Sequence, residues 1–316
     1  MTFTFDATTV WESLDLGKLI EAVEQLHIEL AAGRAVQPPR HPMAVPGSSA
    51  LIIPMMAAST VSDIVCLKLL IDNPDNDGAR QRSTIVAMKI DTGECVATLQ
   101  GGVVTQLRTA AASAVATRAL ARSDAGVLGL IGAGAQARSH LRAIAAVREL
   151  HDVVVWNRTP DNARRVVDEA AALGLPCTIA ADVRTVVEQS DIICTLTPSR
   201  EPIVKGSWLR PGQHLNAVGS PPRTDHREID SQVFQRARLV VDSRDVALAE
   251  SGAVVKAIEE KAISADDVRV ELGHVLLEGT FDRSADDITL FNSVGLPIQD
   301  LAAVTALLAA VRSPVG

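Results

Sequence analysis

Apolar positions along the first 120 residues change rhythm several times. Between residues 10 and 33, Leu16, Leu19, Ile20, Val23, Leu26 and Leu30 recur at near-helical spacing, which predicts an amphipathic helix. The proline-rich and basic run over residues 34–47 interrupts that pattern and reads as a loop. Residues 50–54 and 63–70 then read as strands, with a polar loop over 72–82. Residues 83–90 and 95–100, separated by Asp91-Thr92-Gly93-Glu94, predict a hairpin. Residues 109–122 are alanine-dominated and favour helix.

From Ala125 the pattern changes. Val127-Leu128-Gly129-Leu130-Ile131 is a continuous apolar run, and further strands are expected at 153–156, 191–196, 214–218 and 239–241. Helical stretches separate them, one of them over 162–172. Continuous apolar strands alternating with helices imply a parallel sheet covered on both faces. A last helix over 298–311 would return to the first part of the chain. The expected architecture is therefore α/β with two domains, one of residues 1–112 joined by 298–316, the other of residues 113–297.

Composition narrows the function. No stretch approaches the ~20 apolar residues needed to cross a bilayer. The first residues, MTFTFDATTVWESLD, are acidic where a signal peptide would be basic, so a cytoplasmic protein is expected. With 38 acidic and 30 basic residues the net charge is -8, which argues against a nucleic-acid partner. Cys66, Cys95, Cys177 and Cys194 show no metal-ligand or redox spacing and read as reduced thiols. The histidines are scattered without ligand pairing, so no metal site is expected. His140 reads as a packing residue, and His226 with Asp225 as an auxiliary proton-carrying pair in the polar loop around residue 225. The chain has no tyrosine, which excludes a phenolic acid or base.

Gly132, Gly134 and Ala137 form G-x-G-x-x-A between a strand and a helix. The first glycine makes the turn, the second lets a pyrophosphate approach the backbone, and a small third residue allows close helix packing. Amides at the helix start, including Ala135 and Gln136, would face the phosphates. The second domain is therefore expected to be a Rossmann-type dinucleotide-binding domain. Where a NAD site usually carries an acid, this chain reads Trp156-Asn157-Arg158-Thr159. Asn157 and Thr159 can donate hydrogen bonds, and Arg158 can pair with a 2′-phosphate. NADP(H) is the expected cofactor, with NAD(H) as the alternative.

Several cations in the first domain occupy poor places for surface charge. Lys68 lies within an apolar strand, Arg108 precedes the alanine-rich helix, and Arg40 sits in the 34–47 loop. Together they would suit the carboxylate of an amino or keto acid. Read one at a time, Arg40 is more simply a surface or structural cation, while Lys68 and Arg108 divide evenly between the two readings. Thr84, at the start of the hairpin, could add one hydrogen bond.

The sequence resembles the ornithine cyclodeaminase and mu-crystallin family. The resemblance is carried by Leu107-Arg108-Thr109-Ala110-Ala111, the glycine loop, Asn216-Ala217-Val218-Gly219, Arg227-Glu228-Ile229-Asp230, Phe291-Asn292-Ser293-Val294-Gly295 and Gln299-Asp300. It implies a Rossmann domain inserted between the terminal parts of a substrate-binding and dimerisation domain, in a homodimer. It further implies that Arg40, Lys68 and Arg108 bind the substrate carboxylate, with Thr84 near the same pocket. Thr109, Val218 and Val294 fall in the matching segments as cofactor contacts, and Thr195, at the end of the strand expected over 191–196, is expected to join them.

The family's reaction core is hydride transfer between a nicotinamide and the carbon bearing nitrogen and carboxylate. Two departures bear on the net reaction. Leu51 stands where cyclodeaminases carry a glutamate, and Ser220-Pro221-Pro222 stands where they carry an aspartate after the glycine. The turn at Trp156 resembles that of the NADPH-linked ketimine reductases. These favour reduction of a cyclic imino acid, Δ1-pyrroline-2-carboxylate or Δ1-piperideine-2-carboxylate, to the cyclic amino acid. Lys68 is the expected proton donor, with Asp225 or water second. A cyclodeaminase-type lyase, a linear L-amino-acid dehydrogenase, a hydroxyproline dehydratase and a non-enzymatic binding protein are the alternatives.

Overall fold

A computed structural model describes residues 2–76 and 81–312. It divides into two compact units, one of Met1–Ala112 with Leu296–Gly316 and the other of Ser113–Gly295. Residues 77–80, part of the loop expected over 72–82, lie outside the described residues.

The first unit opens with β1 (Phe3–Phe5), α1 (Ala7–Ser13) and α2 (Leu16–Ala31). The single helix expected from residue 10 is thus two. Asp15 is extended and caps α2, its Oδ1 accepting the Lys18 amide at 2.8 Å. An aspartate that satisfies an orphan amide in this way starts a new helix rather than continuing the old one. Next come β2 (Ala35–Val36), β3 (Met43–Ala44), β4 (Leu51–Ser59), β5 (Ile64–Asp72), β6 (Gln81–Lys89) and β7 (Cys95–Gln100).

These strands form a mixed sheet in the order β1-β7-β6-β5-β4-β2, with β3 beside β4. β4 runs past Pro54, where a shorter strand was expected. It can do so because β2 pairs only Ala58 and Ser59, and β3 only Leu51 and Ile52. Pro54 therefore lies in the edge stretch between them, where no ladder amide is needed.

α3 (Gly101–Leu120) starts directly after β7, and not at Thr109 as expected. The Gln100 side chain accepts the amides of Gly102 and Val103 at 3.0 and 3.4 Å, which supplies the start signal. Arg108 consequently sits inside the helix. α11 (Pro297–Arg312) carries the chain back to pack on α2 and on the β4–β5 pair.

The second unit contains β8 (Val127–Ile131), α4 (Ala135–Ala145), β9 (Asp152–Trp156), α5 (Pro160–Ala172), β10 (Cys177–Ile179), α6 (Val183–Gln189), β11 (Ile192–Thr195) and β12 (His214–Ala217). It continues through α7 (Ser231–Arg236), β13 (Ala237–Val241), α8 (Arg244–Glu250), α9 (Gly252–Glu259), α10 (Leu272–Glu278) and β14 (Ile288–Asn292). All seven strands are parallel, in the order β10-β9-β8-β11-β12-β14-β13. β11, β12 and β14 are buried along their whole length, as strands covered on both faces must be. Among the described residues, no helix is long and apolar enough to cross a membrane.

Candidate functional site

The sheet of the first unit places Lys68 on its covered face, 1% exposed. Its ammonium lies 2.8 and 3.0 Å from the two carboxylate oxygens of Asp300 and 3.3 Å from Thr105 Oγ1. Arg108 approaches the same carboxylate, Nε to Oδ1 at 3.5 Å, and its Nη1 donates to Gln299 Oε1 at 2.6 Å. Gln299 in turn reaches the buried His27, Nε2 to Nε2 at 3.3 Å. Burial holds His27 at about 4, so it is neutral and can accept from the amide. Adjacent residues at the start of α11 thus share the two cations, Asp300 facing both and Gln299 accepting from Arg108.

Burial pulls Lys68 from 10.5 down to about 8, Asp300 opposes that, and Arg108 and Arg40 reinforce it. Arg40 is itself buried. A lysine at about 8 exchanges its proton near neutral pH, and the neighbouring guanidinium groups suit an incoming carboxylate.

Thr84 does not belong to this cluster. It pairs with the exposed Leu69, whereas Lys68 pairs with the buried Ile85. Alternate residues of a strand face opposite sides, so Thr84 points away from Lys68, and Ser83 shares the covered face. The expected hydrogen bond from Thr84 is corrected accordingly. Thr109, one residue after Arg108 on α3, spends its hydroxyl on the Thr105 carbonyl at 2.7 Å.

In the second unit the register aligns one edge of the sheet. Trp156, Ile131, Thr195, Ala217, Asn292 and Val241, each the last residue of its strand, lie side by side. Asn157, Arg158, Gly132, Thr195, Val218 and Val294 therefore fall at or just beyond the same carboxyl edge. Gly132 has φ +108, and a Cβ there would stand 2.9 Å from the Leu196 carbonyl oxygen. By contrast, a Cβ on Gly134 would meet no atom within 4 Å. Gly134 starts α4 with no side-chain cap of its own, so the backbone is bare of a side chain where the helix begins. Gln136 Oε1 is buried and finds no hydrogen-bond partner among the described residues. This cradle fits a dinucleotide pyrophosphate.

The β9 end is held from below. Asn157 Oδ1 accepts the Ala133 amide at 3.1 Å and its Nδ2 donates to the Thr159 carbonyl at 2.8 Å, while Arg158 and Thr159 are exposed. On the far side, Val218 donates its amide to Thr195 at 3.3 Å. Asp242 Oδ2 accepts the Ser293 hydroxyl and the amides of Val294 and Gly295 at 2.6, 3.1 and 2.9 Å.

Asp225 is exposed, 2.8 Å from His226 Nδ1 and 3.8 Å from Arg200 Nε. The hydrogen bond from His226, then the charges of His226 and Arg200, hold its carboxyl below the usual range. It carries charge rather than a proton at neutral pH, which makes it a poor acid. His140 is buried between Ser113 Oγ at 2.9 Å and the Gln136 carbonyl at 2.8 Å, a packing role. Groups of three or more His, Cys, Asp or Glu side chains able to hold a metal are absent among the described residues.

Sequence reasoning did not assign roles to Asp300, Gln299, Thr105, Ser83, Asp242 and Glu228. A signal for Asp300 does exist, since it is an acid between Ile298 and Leu301 on a helix whose other early positions are buried. An acid in that place needs a buried cation.

Comparison with known proteins then decides the family. The model of the ornithine cyclodeaminase/mu-crystallin family matches residues 3–313. The chain belongs to that family. Within the ornithine cyclodeaminase/mu-crystallin family it is similar to the ketimine reductase mu-crystallin of Rattus norvegicus, 34% identical over 274 residues, 86% of this chain and 84% of that one. It is also similar to a Δ1-pyrroline-2-carboxylate reductase of Bacillus cereus, 34% identical over 283 residues, 86% of this chain and 85% of that one. The solved structure of Thermococcus litoralis Δ1-pyrroline-2-carboxylate reductase in complex with NADH and L-proline matches with a TM-score of 0.93 and 32% identity, over 98% of this chain and 97% of that one. The two-sheet architecture is that of the family.

Proposed function

We propose that the protein is an oxidoreductase that reduces a cyclic ketimine carboxylic acid, Δ1-pyrroline-2-carboxylate or Δ1-piperideine-2-carboxylate, to the cyclic amino acid. One observation carries the reading. A buried lysine with a value of about 8 stands among two arginines and Asp300, in a chain 32% identical to a reductase solved with NADH and L-proline.

In this mechanism Arg40 and Arg108 hold the substrate carboxylate, and Gln299 fixes the direction in which Arg108 points. Lys68 gives its proton to the imine nitrogen, which makes the ring carbon electrophilic. Bound NADH or NADPH supplies the hydride. Imine, hydride and proton then balance to the secondary amine, and Lys68 regains its proton from water. Asp300 keeps the ammonium of Lys68 aimed and charged between turnovers. In the reverse direction the neutral Lys68 amine would accept the proton from proline or pipecolate.

The cofactor is a nicotinamide dinucleotide held by Gly132, Gly134, Ala135 and Gln136, with Thr195, Val218 and Val294 toward its other half. Preference for NADP(H) over NAD(H) is assigned to Arg158, whose exposed guanidinium can pair a 2′-phosphate, with Asn157 and Thr159 beside it. The first unit serves as the substrate-binding and dimerisation domain, the second as the dinucleotide-binding domain. The homodimer forms through the outer face of the first sheet, where Met56, Leu67, Leu69, Ile71 and Met88 are all exposed.

The test is direct. Purified protein is mixed with NADPH or NADH and each of the two imines, and the reduced nicotinamide absorbance is followed. Oxidation with either imine is expected. No oxidation, together with release of proline from ornithine at catalytic NAD+, would identify a cyclodeaminase instead. Arg158→Ala should weaken NADPH and spare NADH; equal effects would return Arg158 to ordinary surface charge.

A further inference from the structure

Glu228 is a buried carboxylate that the reaction above does not use. It is 2% exposed. Oε1 accepts the Thr197 amide at 2.6 Å and the Thr197 hydroxyl at 2.8 Å. Oε2 accepts the Thr195 hydroxyl and the Gly219 amide, each at 2.8 Å. Burial pushes the carboxyl up to about 7 against the pull of these four bonds.

The pattern demands two accepting oxygens. Each oxygen faces a backbone N–H, and an N–H can only donate. A side-chain amide in this place would set its NH2 against one of those donors, whichever way it turned. Glutamine is therefore a poor substitute despite its identical shape.

The four bonds hold particular loops. Thr195 is the last residue of β11 and Thr197 follows it, while Gly219 follows β12. The loops touch so closely that a Cβ on Gly219 would collide with the Thr197 amide. In a doubly wound sheet the dinucleotide crosses the carboxyl edge where strand order reverses, with one mononucleotide half on each side. Here the order reverses at β8, with β9 and then β10 on one side and β11 and then β12 on the other. Asn157 and Arg158 at the end of β9 mark the adenosine side. The nicotinamide half accordingly falls to the β11–β12 side.

We infer that Glu228 is a positioning residue for the nicotinamide half of the dinucleotide, locking the loops after β11 and β12 into the shelf on which that half rests. This rests on the dinucleotide reading above and adds to it a residue that acts on one half alone.

Calorimetric titration can separate the halves. Wild type, Glu228→Gln and Thr197→Val are each titrated with NADH and with ADP, which carries only the adenosine side, and with NADPH and 2′,5′-ADP in parallel. Glu228→Gln should raise the Kd of the dinucleotide about tenfold or more while the Kd of the adenosine fragment stays within about twofold. Thr197→Val removes one of the four bonds and keeps the carboxylate. It should shift the dinucleotide in the same direction by a few-fold, and it carries the test if the glutamine variant does not fold. Equal losses for dinucleotide and fragment would overturn the inference, because general damage to the unit weakens both. No loss for either would overturn it too. A wild type that binds the fragments and dinucleotides not at all would instead strike the dinucleotide reading itself, and the role of Glu228 with it.

Discussion

Asp300→Asn separates the charge of the buried cluster from its packing. In the folded chain the Asp300 carboxylate lies 2.8 and 3.0 Å from Lys68 Nζ, and both side chains are about 1% exposed. Burial already holds Lys68 at about 8, and Asp300 is the largest influence raising it. Asparagine removes that influence and leaves burial and the two arginines, all of which lower it. At pH 7 the lysine then stays charged without its partner or gives up its proton. Either route costs stability, about 3–5 kcal/mol for a broken buried pair.

The pH dependence has a definite sign. Lys68 is lower in the folded chain than the 10.5 of the unfolded one, so its charge costs stability that is fully present below about 8 and relieved between about 8 and 10.5. Wild-type unfolding free energy should therefore gain from Lys68 as pH rises through that window, and Lys68→Met should remove the gain. No tyrosine titrates there, because the chain has none. The wild-type ammonium is itself lost above about 8, so Asp300 has less to stabilise in alkali. Urea unfolding should show the Asp300→Asn loss at about 3–5 kcal/mol at pH 7 and roughly half of that or less at pH 9.5. An equal loss at both pH values would refute the reasoning and make Asp300 a partner of Arg108 alone.

The same lysine predicts a rate profile: kcat/KM for imine reduction should fall as pH rises through about 8, and for amino-acid oxidation it should rise there. Flat profiles over that range would remove Lys68 as the proton carrier. Gln299→Leu deletes the 2.6 Å acceptor of Arg108 and should raise KM for the imino acid roughly tenfold or more, with kcat changed less. A matching fall in kcat with KM unchanged would argue against a carboxylate clamp. Leu69→Asp places a charge in the exposed apolar face of the first sheet and should convert the proposed dimer to a monomer, read by light scattering. An unchanged mass would put the dimer interface elsewhere.

The second unit is the more legible part of the sequence. Its strands are continuous apolar runs and its glycine loop joins a strand to a helix, so local pattern and tertiary role coincide. β10 is short and half-exposed, and β14 carries Thr289 and ends in Asn292, so neither announces itself as a strand. The first unit is harder because face matters. Ser83 and Thr84 are adjacent hydroxyls, and only the register with Leu70 and Leu69 decides which one lies on the side of Lys68. The partner of Lys68 lies 232 positions further along, and an ion pair leaves no local periodicity to find. Arg227-Glu228-Ile229-Asp230 is visible as a motif, yet the use of Glu228 depends on threonines and a glycine from two other loops.

The turn after β9 has an evolutionary consequence. Arg158 and Thr159 stand in solvent, while Asn157 ties that turn to the glycine loop through the Ala133 amide, and the Trp156 carbonyl does so through the Gly132 amide. Substitutions at the two exposed positions leave the sheet, its buried carboxylates and the cluster around Lys68 untouched. A lineage built on this scaffold could exchange one form of reducing currency for another in very few mutational steps, each tolerated by the fold, without renegotiating its chemistry.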